Sequence, residues 1–332
     1  MELAATQEPI GVALLNMGGP ATVEEIRPFL TRLFSDAVML PLPAPLRQLL
    51  ARLIAWRRSP KVAGRYEAIG GGSPVGPESA RQAHALQQRL GRGFAVRHVF
   101  RYSEPGPGMV LDKLYLLGVR RLVALPAYPQ WSETTSGSSV AHLGRVARHL
   151  GLECLESPPY PAGEGFVRSL AAGIGPLLDG ADHLLFTAHG LPARVVRRGD
   201  PYVAQVQRTV AALERLLPAD PPRSLAFQSR LGPLAWVGPH VDDEIRRLAG
   251  AGVRRLVLAP ITFVCENLET LWDLDREMAG LADRCGIEDY RRAPVPGTDP
   301  AFIGELARLV RGKARQAGWI ADGRPTEIFD ES

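Results

Sequence analysis

The chain repeats itself, and the repeat constrains its fold more than any other feature. The string GVRRLVALPAYPQWSETT beginning at Gly118 returns as GVRRLVLAPITFVCENLET beginning at Gly252. Two earlier elements pair in the same order. The strand-like run before NMGGP (from Asn16) parallels the run before TAHGLP (from Thr187), and FRYSEP at Phe100 parallels FQSRLGP at Phe227. Three matches in one order point to a duplicated ancestral unit rather than to chance recurrence of strand-turn-helix strings, so the chain should build one architecture twice.

That architecture is α/β. Short runs rich in Val, Ile and Leu alternate with longer helical patterns, the pattern of parallel sheets with helices on both faces. Strands are expected at 10–15, 95–100, 121–126, 183–187, 224–228 and 255–261, and helices at 78–90 and 242–249. A length of 332 residues fits two domains at roughly 150 residues each. The longest nearly unbroken apolar stretch, 256–265, is about half of what a bilayer span needs, and the opening MELAATQEP lacks a basic leader segment. A soluble, cytoplasmic chain is the expectation. Three widely spaced cysteines, Cys154, Cys265 and Cys285, suggest neither a disulfide framework nor a zinc ribbon.

The net charge of +4 carries little information, because only 3 of the 39 basic residues are Lys; such a skew reflects codon usage, and no nucleic-acid partner is inferred. One stretch is uneven. From 37 to 66 there is no acidic residue, while Arg47, Arg52, Arg57, Arg58, Lys61 and Arg65 fall within it. The repeat places an insertion here: Asn16 and Thr187 are 171 residues apart but Phe100 and Phe227 only 127, so the first half carries about 44 extra residues. Within it Leu46, Leu49, Leu50, Leu53 and Ile54 recur at helical spacing, giving an amphipathic helix with an apolar and basic surface.

Ligands of open α/β sheets bind beyond the carboxyl ends of the strands, which makes five loops candidates for one cleft: NMGGP, FRYSEP, PAYPQWSETTSGSS, TAHGLP and ITFVCENLET. His189 directly follows the strand HLLFT; its imidazole is either a proton acceptor or metal ligand, or a turn histidine bonded to backbone. Glu266, Glu269, Asp273 and Glu277 are spaced to share one helix face. With only Arg276 nearby in sequence, this acidic face either conducts dications or protons or is simply exposed. The glycine clusters lack the dinucleotide fingerprint and the phosphate-binding lysine. Tyr66, Tyr102, Tyr128, Trp131, Trp236 and Phe263 lie in or near the loops, as a flat apolar ligand requires, although core packing is the usual role of such residues.

Taken together, the strings LLNMGGPAT, RYEAIGGGSP, FRYSEP, YPQWSETTSGSS, FTAHGLPARVVRRGDPY, FQSRLGPLAWVGPH and PITFVCENLETLWDLDRE resemble the ferrochelatase family across nearly the whole chain. The resemblance implies two similar Rossmann-like lobes with parallel sheets flanked by helices, and an active cleft between them. It divides the chain into residues 1–160 with a lip insertion at about 37–72, residues 161–320, and a tail at 321–332. It implies insertion of ferrous iron into protoporphyrin IX with release of two protons, with Fe2+ as a substrate and no organic cofactor. By resemblance His189 and Glu269 are the catalytic pair, and with Asp273 and Glu277 they meet the metal. Met17, Tyr66, Ser73, Arg101, Tyr102, Tyr128, Ser229 and Trp236 face the porphyrin, and Arg57 and Arg58 meet its propionates. The lip could touch a membrane surface weakly. Some relatives carry an iron-sulfur cluster, which takes four thiolates as a rule; with three cysteines, and Glu133 where some relatives place a ligand, none is expected here. The competing readings are a coproporphyrin III ferrochelatase, a cobalt or nickel chelatase, and a noncatalytic porphyrin or haem carrier.

Overall fold

The computed structural model describes residues 8–229 and 234–321. Eight strands form two separate four-stranded sheets: β1 (Ile10–Asn16), β2 (Phe94–Phe100), β3 (Arg121–Pro126) and β4 (Glu153–Glu156) in the first, β5 (His183–His189), β6 (Arg223–Gln228), β7 (Arg255–Pro260) and β8 (Asp289–Arg292) in the second. Every pairing is parallel, and the spatial orders β2-β1-β3-β4 and β6-β5-β7-β8 are the same. The duplication is therefore one of topology as well as of strings.

The strand register refines the internal alignment. Leu15 pairs with Pro126 and Thr187 with Pro260, while Asn16 pairs with Phe100 and Ala188 with Phe227. Thr187 thus takes the place of Leu15, one residue off the string match, and His189 takes the place of Met17. The two edge strands β4 and β8 were not expected from the sequence. ECLE and DYRR are short and polar, and they pair only because a parallel neighbour offers its free edge.

Among the described residues ten α-helices lie between the strands and an eleventh follows the last: α1 (Ile26–Phe34), α2 (Ala44–Ala68), α3 (Val75–Leu90), α4 (Pro107–Leu116), α5 (Ser138–His149), α6 (Glu164–Ile174), α7 (Ala193–Arg197), α8 (Tyr202–Glu214), α9 (Val241–Gly250), α10 (Ala279–Arg284) and α11 (Pro300–Gln316). Two π-helical segments, Glu133–Gly137 and Glu269–Met278, follow β3 and β7. The stretch expected as an insertion, about 37–72, contains α2, and α1 lies just before it. Side chains of the central strands alternate between two cores, as the period of two requires. Val12, Leu14, Val123 and Leu125 face a core shared with Leu184, Phe186, Val257 and Ala259 of the second sheet. Ala13, Leu15, Ala124 and Leu185, Leu256, Leu258 face two outer cores, one per lobe. The last helix, α11, packs on α3 and β3 as well as on α6, so the end of the chain returns to the first sheet.

Two buried amides complete the junction between the lobes. Gln82 of α3 donates to the carbonyls of Val264 (2.7 Å) and Gly297 (2.9 Å). Gln130 donates to Thr209 Oγ1 (2.8 Å) and to the carbonyl of Ile261 (3.2 Å). Replacing Gln82 by Met keeps similar bulk but leaves the Gly297 carbonyl without that donor. A loss of about 1–3 kcal/mol in denaturant unfolding is expected, and an unchanged midpoint would show that this amide does not secure the lobes.

Candidate active site

The carboxyl ends of β1, β5, β6 and β7 and the inserted helices enclose a cavity of about 710 Å3. Its first wall begins where β1 ends. Gly18 adopts φ +84°, and a Cβ there would fall 2.0 Å from Ser103 Oγ; a Cβ on Gly19 would fall 2.4 Å from Ser73 Oγ. The NMGGP turn therefore needs both glycines to bring Met17 and Ser73 to the cavity wall. Beneath it, the amide of Asn16 donates to Ser79 Oγ (3.3 Å) and to the sulfur of Cys265 (3.6 Å). Phe29, Leu30, Leu33 and Phe34 of α1 and Val62 of α2 supply an apolar side.

His189, the last residue of β5, stands at the equivalent place on the opposite wall. Its backbone is held at both ends: the N–H donates to Thr262 Oγ1 (3.1 Å) and the carbonyl accepts from the Tyr202 hydroxyl (2.8 Å). The imidazole packs edge-on against Phe263, with ring centres 6.3 Å apart. Its Nδ1 is buried and has no hydrogen-bond partner. Burial holds the ring in its neutral form, with the nearby Glu269 carboxylate opposing that effect only in part. A neutral imidazole with an unsatisfied nitrogen has a lone pair or an N–H to offer a ligand.

The acidic face is built differently from the expected α-helix. Glu269, Asp273 and Glu277 lie on the π-helical segment Glu269–Met278, whose i→i+5 bonds give roughly four to five residues per turn. A spacing of four then keeps the three carboxylates in one slowly winding row, and all three line the cavity. Glu266 is not part of the row; it pairs with Arg292 at 3.0 Å. Among the described residues no three His, Cys, Asp or Glu side chains converge as a metal site, so the three carboxylates follow one another along the wall rather than surround one point. Burial first, and then the charge of Glu269, push Asp273 up to about 7, with Arg65 pulling the other way and Glu277 adding a smaller push. Arg65 reaches the row from α2, 3.2 Å from Asp273 and 2.7 Å from Glu277.

The cavity wall holds Met17, Arg58, Tyr66, Ser73, His189, Ser229, Glu269, Asp273 and Glu277. Ser229 adopts φ +71° and its hydroxyl is buried without a partner. The other expected residues lie elsewhere. Arg57 is exposed on α2, because neighbours in a helix point about 100° apart and only Arg58 turns inward. Arg101 and Tyr102 both bond Asp36, at 2.6 and 2.8 Å, together with Ser138 at 2.8 Å; they anchor the chain leading into the insertion. Tyr128 is buried beside Trp131 and Tyr160, its hydroxyl unpartnered. Trp236 lies over Gly190 and bridges to Pro192, and it does not line the cavity. Three contributors escaped the sequence reading. The aromatic and aliphatic face of α1 gave no chemical signal, Gln228 sits inside FQSRLGP without a motif role, and the ion pairs of Arg65 join residues 208 positions apart.

The family model for ferrochelatase matches residues 9–314. The ferrochelatase of Phenylobacterium zucineum is 40% identical over 322 residues, covering 93% of this chain and 92% of the relative; that of Gloeobacter violaceus is 39% identical, covering 91% and 96%. The chain belongs to the ferrochelatase family. It is a porphyrin metal chelatase, a lyase of haem biosynthesis with porphyrin and iron as its substrates. The fold is shared more widely. SirB from Bacillus subtilis with Fe3+ aligns with a TM-score of 0.58 at 11% identity, covering 94% of this chain and 98% of that one. The sirohydrochlorin chelatase SirB of Bacillus subtilis subspecies spizizenii in complex with cobalt aligns at 0.56 and 11%, covering 94% and 97%.

A ferrochelatase-family cleft with a raised aspartate has a measurable pH signature. Asp273 binds its proton more tightly folded than unfolded, so it adds stability below about pH 4 that is lost as pH rises through about 7. Wild type should lose more stability between pH 5 and pH 8 than Asp273→Asn, by about 1–2 kcal/mol in denaturant unfolding. Equal pH dependence in the two proteins would remove Asp273 as the titrating group.

Proposed function

We propose that the chain inserts Fe2+ into protoporphyrin IX, releasing two protons, with His189 and Glu269 at the reacting centre. The observation that carries this reading is that His189, whose buried Nδ1 has no partner, lines the same cleft as the carboxylate row of Glu269, Asp273 and Glu277. Metal insertion asks for these two things together. The ring gives up two N–H protons, and a neutral imidazole and a neighbouring carboxylate are two acceptors. The iron arrives hydrated, and a row of single carboxylates that do not converge can exchange its water without trapping it. Met17 and the α1 face grip the apolar ring, while strain held by such remote contacts supplies roughly 1–5 kcal/mol toward exposing the ring nitrogens.

The preference for protoporphyrin rests on the apolar lining that α1 and α2 supply. Phe29, Leu30, Leu33, Phe34 and Val62 suit vinyl groups better than additional propionates. Among the described cavity residues, Arg58 and Lys61 are the cations with no carboxylate partner, which matches two propionates and falls short of the four of coproporphyrin. No organic cofactor enters this scheme. The three cysteines lie on separate elements, Cys154 in β4, Cys265 against Asn16 and Cys285 beyond α10, an arrangement that favours a protein without an iron-sulfur cluster. A spectrophotometric assay with ferrous iron should show protoporphyrin IX metallated at least about tenfold more efficiently than coproporphyrin III, by purified protein free of acid-labile sulfide. The reverse preference would transfer the proposal to coproporphyrin.

The same assay tests the reacting pair. His189→Ala and Glu269→Gln should each lower turnover by about a hundredfold or more, the scale of lost proton transfer, with porphyrin binding by fluorescence quenching within about threefold of wild type. Wild-type turnover in either variant would return that residue to a structural role.

The insertion supports a second element of the proposal. The apolar stripe of α2 turns outward: Leu49 is 67% and Trp56 58% exposed, with Leu46 and Leu53 beside them, while the inner face is made of Ala51, Ala55 and Tyr66. No helix of the described residues is long and apolar enough to cross a membrane. A single amphipathic helix flanked by Arg52 and Arg57 fits weak, reversible contact with an anionic lipid surface, where an apolar porphyrin resides. Flotation with phosphatidylserine-containing vesicles at low salt should be lost in Leu49→Asp/Trp56→Asp, and no flotation of wild type would rule out this contact.

A further inference from the structure

The carboxylate row already holds a cation, and it belongs to the lip helix. Arg65 donates to Asp273 at 3.2 Å and to Glu277 at 2.7 Å. Its guanidinium lies 5.9 Å from the centre of the Trp272 ring, and the Trp272 N–H donates to the same Glu277 oxygen at 3.0 Å. Two of the three carboxylates therefore face a fixed positive charge, and a dication following the row must displace it.

Arg65 also shares a helix face with Arg58. Seven residues are about two turns, or ~10.5 Å along the axis, and both side chains line the cavity. Arg58 lies 5.8 Å from the centre of the Phe34 ring and has no carboxylate partner among the described residues. One helix thus points two like charges at one apolar cleft, the first unpaired and the second paired to the row. A substrate carboxylate that reaches Arg58 offers Arg65 another negative partner within reach of the same face.

We propose that Arg65 is a positioning residue that keeps the row closed to dications until a carboxylate-bearing ring fills the cleft. Its guanidinium exchanges Asp273 and Glu277 for the ring's carboxylate, and the dication takes the vacated oxygens. No covalent bond changes: the guanidinium passes to the ring carboxylate, which neutralises it, and the dication takes its place on the row, which thereby gains one positive charge. This rests on the reading of the row as the iron route. By linkage, a ring carboxylate and a dication must then raise each other's affinity.

The test measures Mn2+ binding by electron paramagnetic resonance, with the cleft empty or filled by zinc protoporphyrin, whose centre is already occupied. In wild type, zinc protoporphyrin should tighten Mn2+ binding about five- to tenfold, the scale of one or two partly exposed ion pairs, and its dimethyl ester should not. Arg65→Gln should bind Mn2+ about five- to tenfold more tightly than wild type with the cleft empty, and gain nothing further from the porphyrin. The second clasp between α2 and the π-helix, from Arg276 to the Ala68 carbonyl at 2.9 Å, remains in that variant. Should Arg65→Gln not fold, Arg65→Lys, which keeps the charge but loses the fork, should still fall between wild type and that expectation. Unchanged or weaker Mn2+ binding in a folded Arg65 variant overturns the proposal. Loss of Mn2+ binding in Asp273→Asn/Glu277→Gln, with no effect of Arg65, would leave the route standing and remove only the gate; unchanged binding in that double variant removes both.

Discussion

The cleft exists because two parallel sheets are held with their carboxyl ends facing one space, and a buried polar junction holds them there. Gln82 and Gln130 are almost wholly inaccessible, at 0% and 2% exposure, and each donates from the first lobe to backbone carbonyls of the second. A buried amide that loses such partners leaves unpaired polar groups, which costs more than the bond contributes. The apolar core shared by both sheets supplies attraction without direction; the amides supply direction. Together with the return of α11 to the first sheet, they make the lobes one body, and the distance between Met17 and His189 follows from it.

On that body the two lobes have diverged at equivalent positions. At equivalent register, Met17 directly follows β1 in one half and His189 ends β5 in the other, so one wall offers an apolar contact and the other a nitrogen. The loops after β3 and β7 each continue into a π-helical segment, yet only the second carries carboxylates into the cavity. The segment after β3 is instead tied to the second lobe: Asp200 accepts from Ser132 Oγ and from the Glu133 N–H, both at 2.9 Å. A π-helix is costly in backbone geometry and is found mostly at functional sites. Here it keeps residues four apart on one row, which an α-helix of the same sequence would wind across its surface in the opposite sense.

Electrostatics in the cleft follows from burial and from the company each group keeps. His189 is neutral because it is desolvated, and Asp273 is raised because it is desolvated beside other carboxylates. Arg58 is lowered by burial and by Arg65, against the trend for an arginine with an ion-pair partner. A cavity lined by both an arginine without a carboxylate partner among the described residues and an acidic row is polarised before any substrate enters.

The sequence alone determined the architecture and several of the residues that line the cleft. The repeat from Gly118 and Gly252 implied two like sheets, the 44-residue excess bracketed the stretch that holds α2, and the strings around Met17, Ser73, His189 and Glu269 belong to residues that line one cleft. Such features are legible because they are local: strand periodicity, turn glycines and residue spacing depend on neighbours in the chain. What the tertiary structure decided is non-local. Helix phase separated Arg57 from Arg58, a buried carboxylate at Asp36 drew Arg101 and Tyr102 away from the cleft, and the leucine stripe of α2 faced outward because its alanine face fits more closely against α1. Above all, Arg65 lies at the end of an acid-free window, and the nearest acid in sequence, Glu67, sits two positions on, where helix geometry does not bring the two side chains face to face. Its partners, Asp273 and Glu277, are 208 and 212 residues away, and only the packing of α2 against the π-helix brings opposite charges from such distant segments into contact.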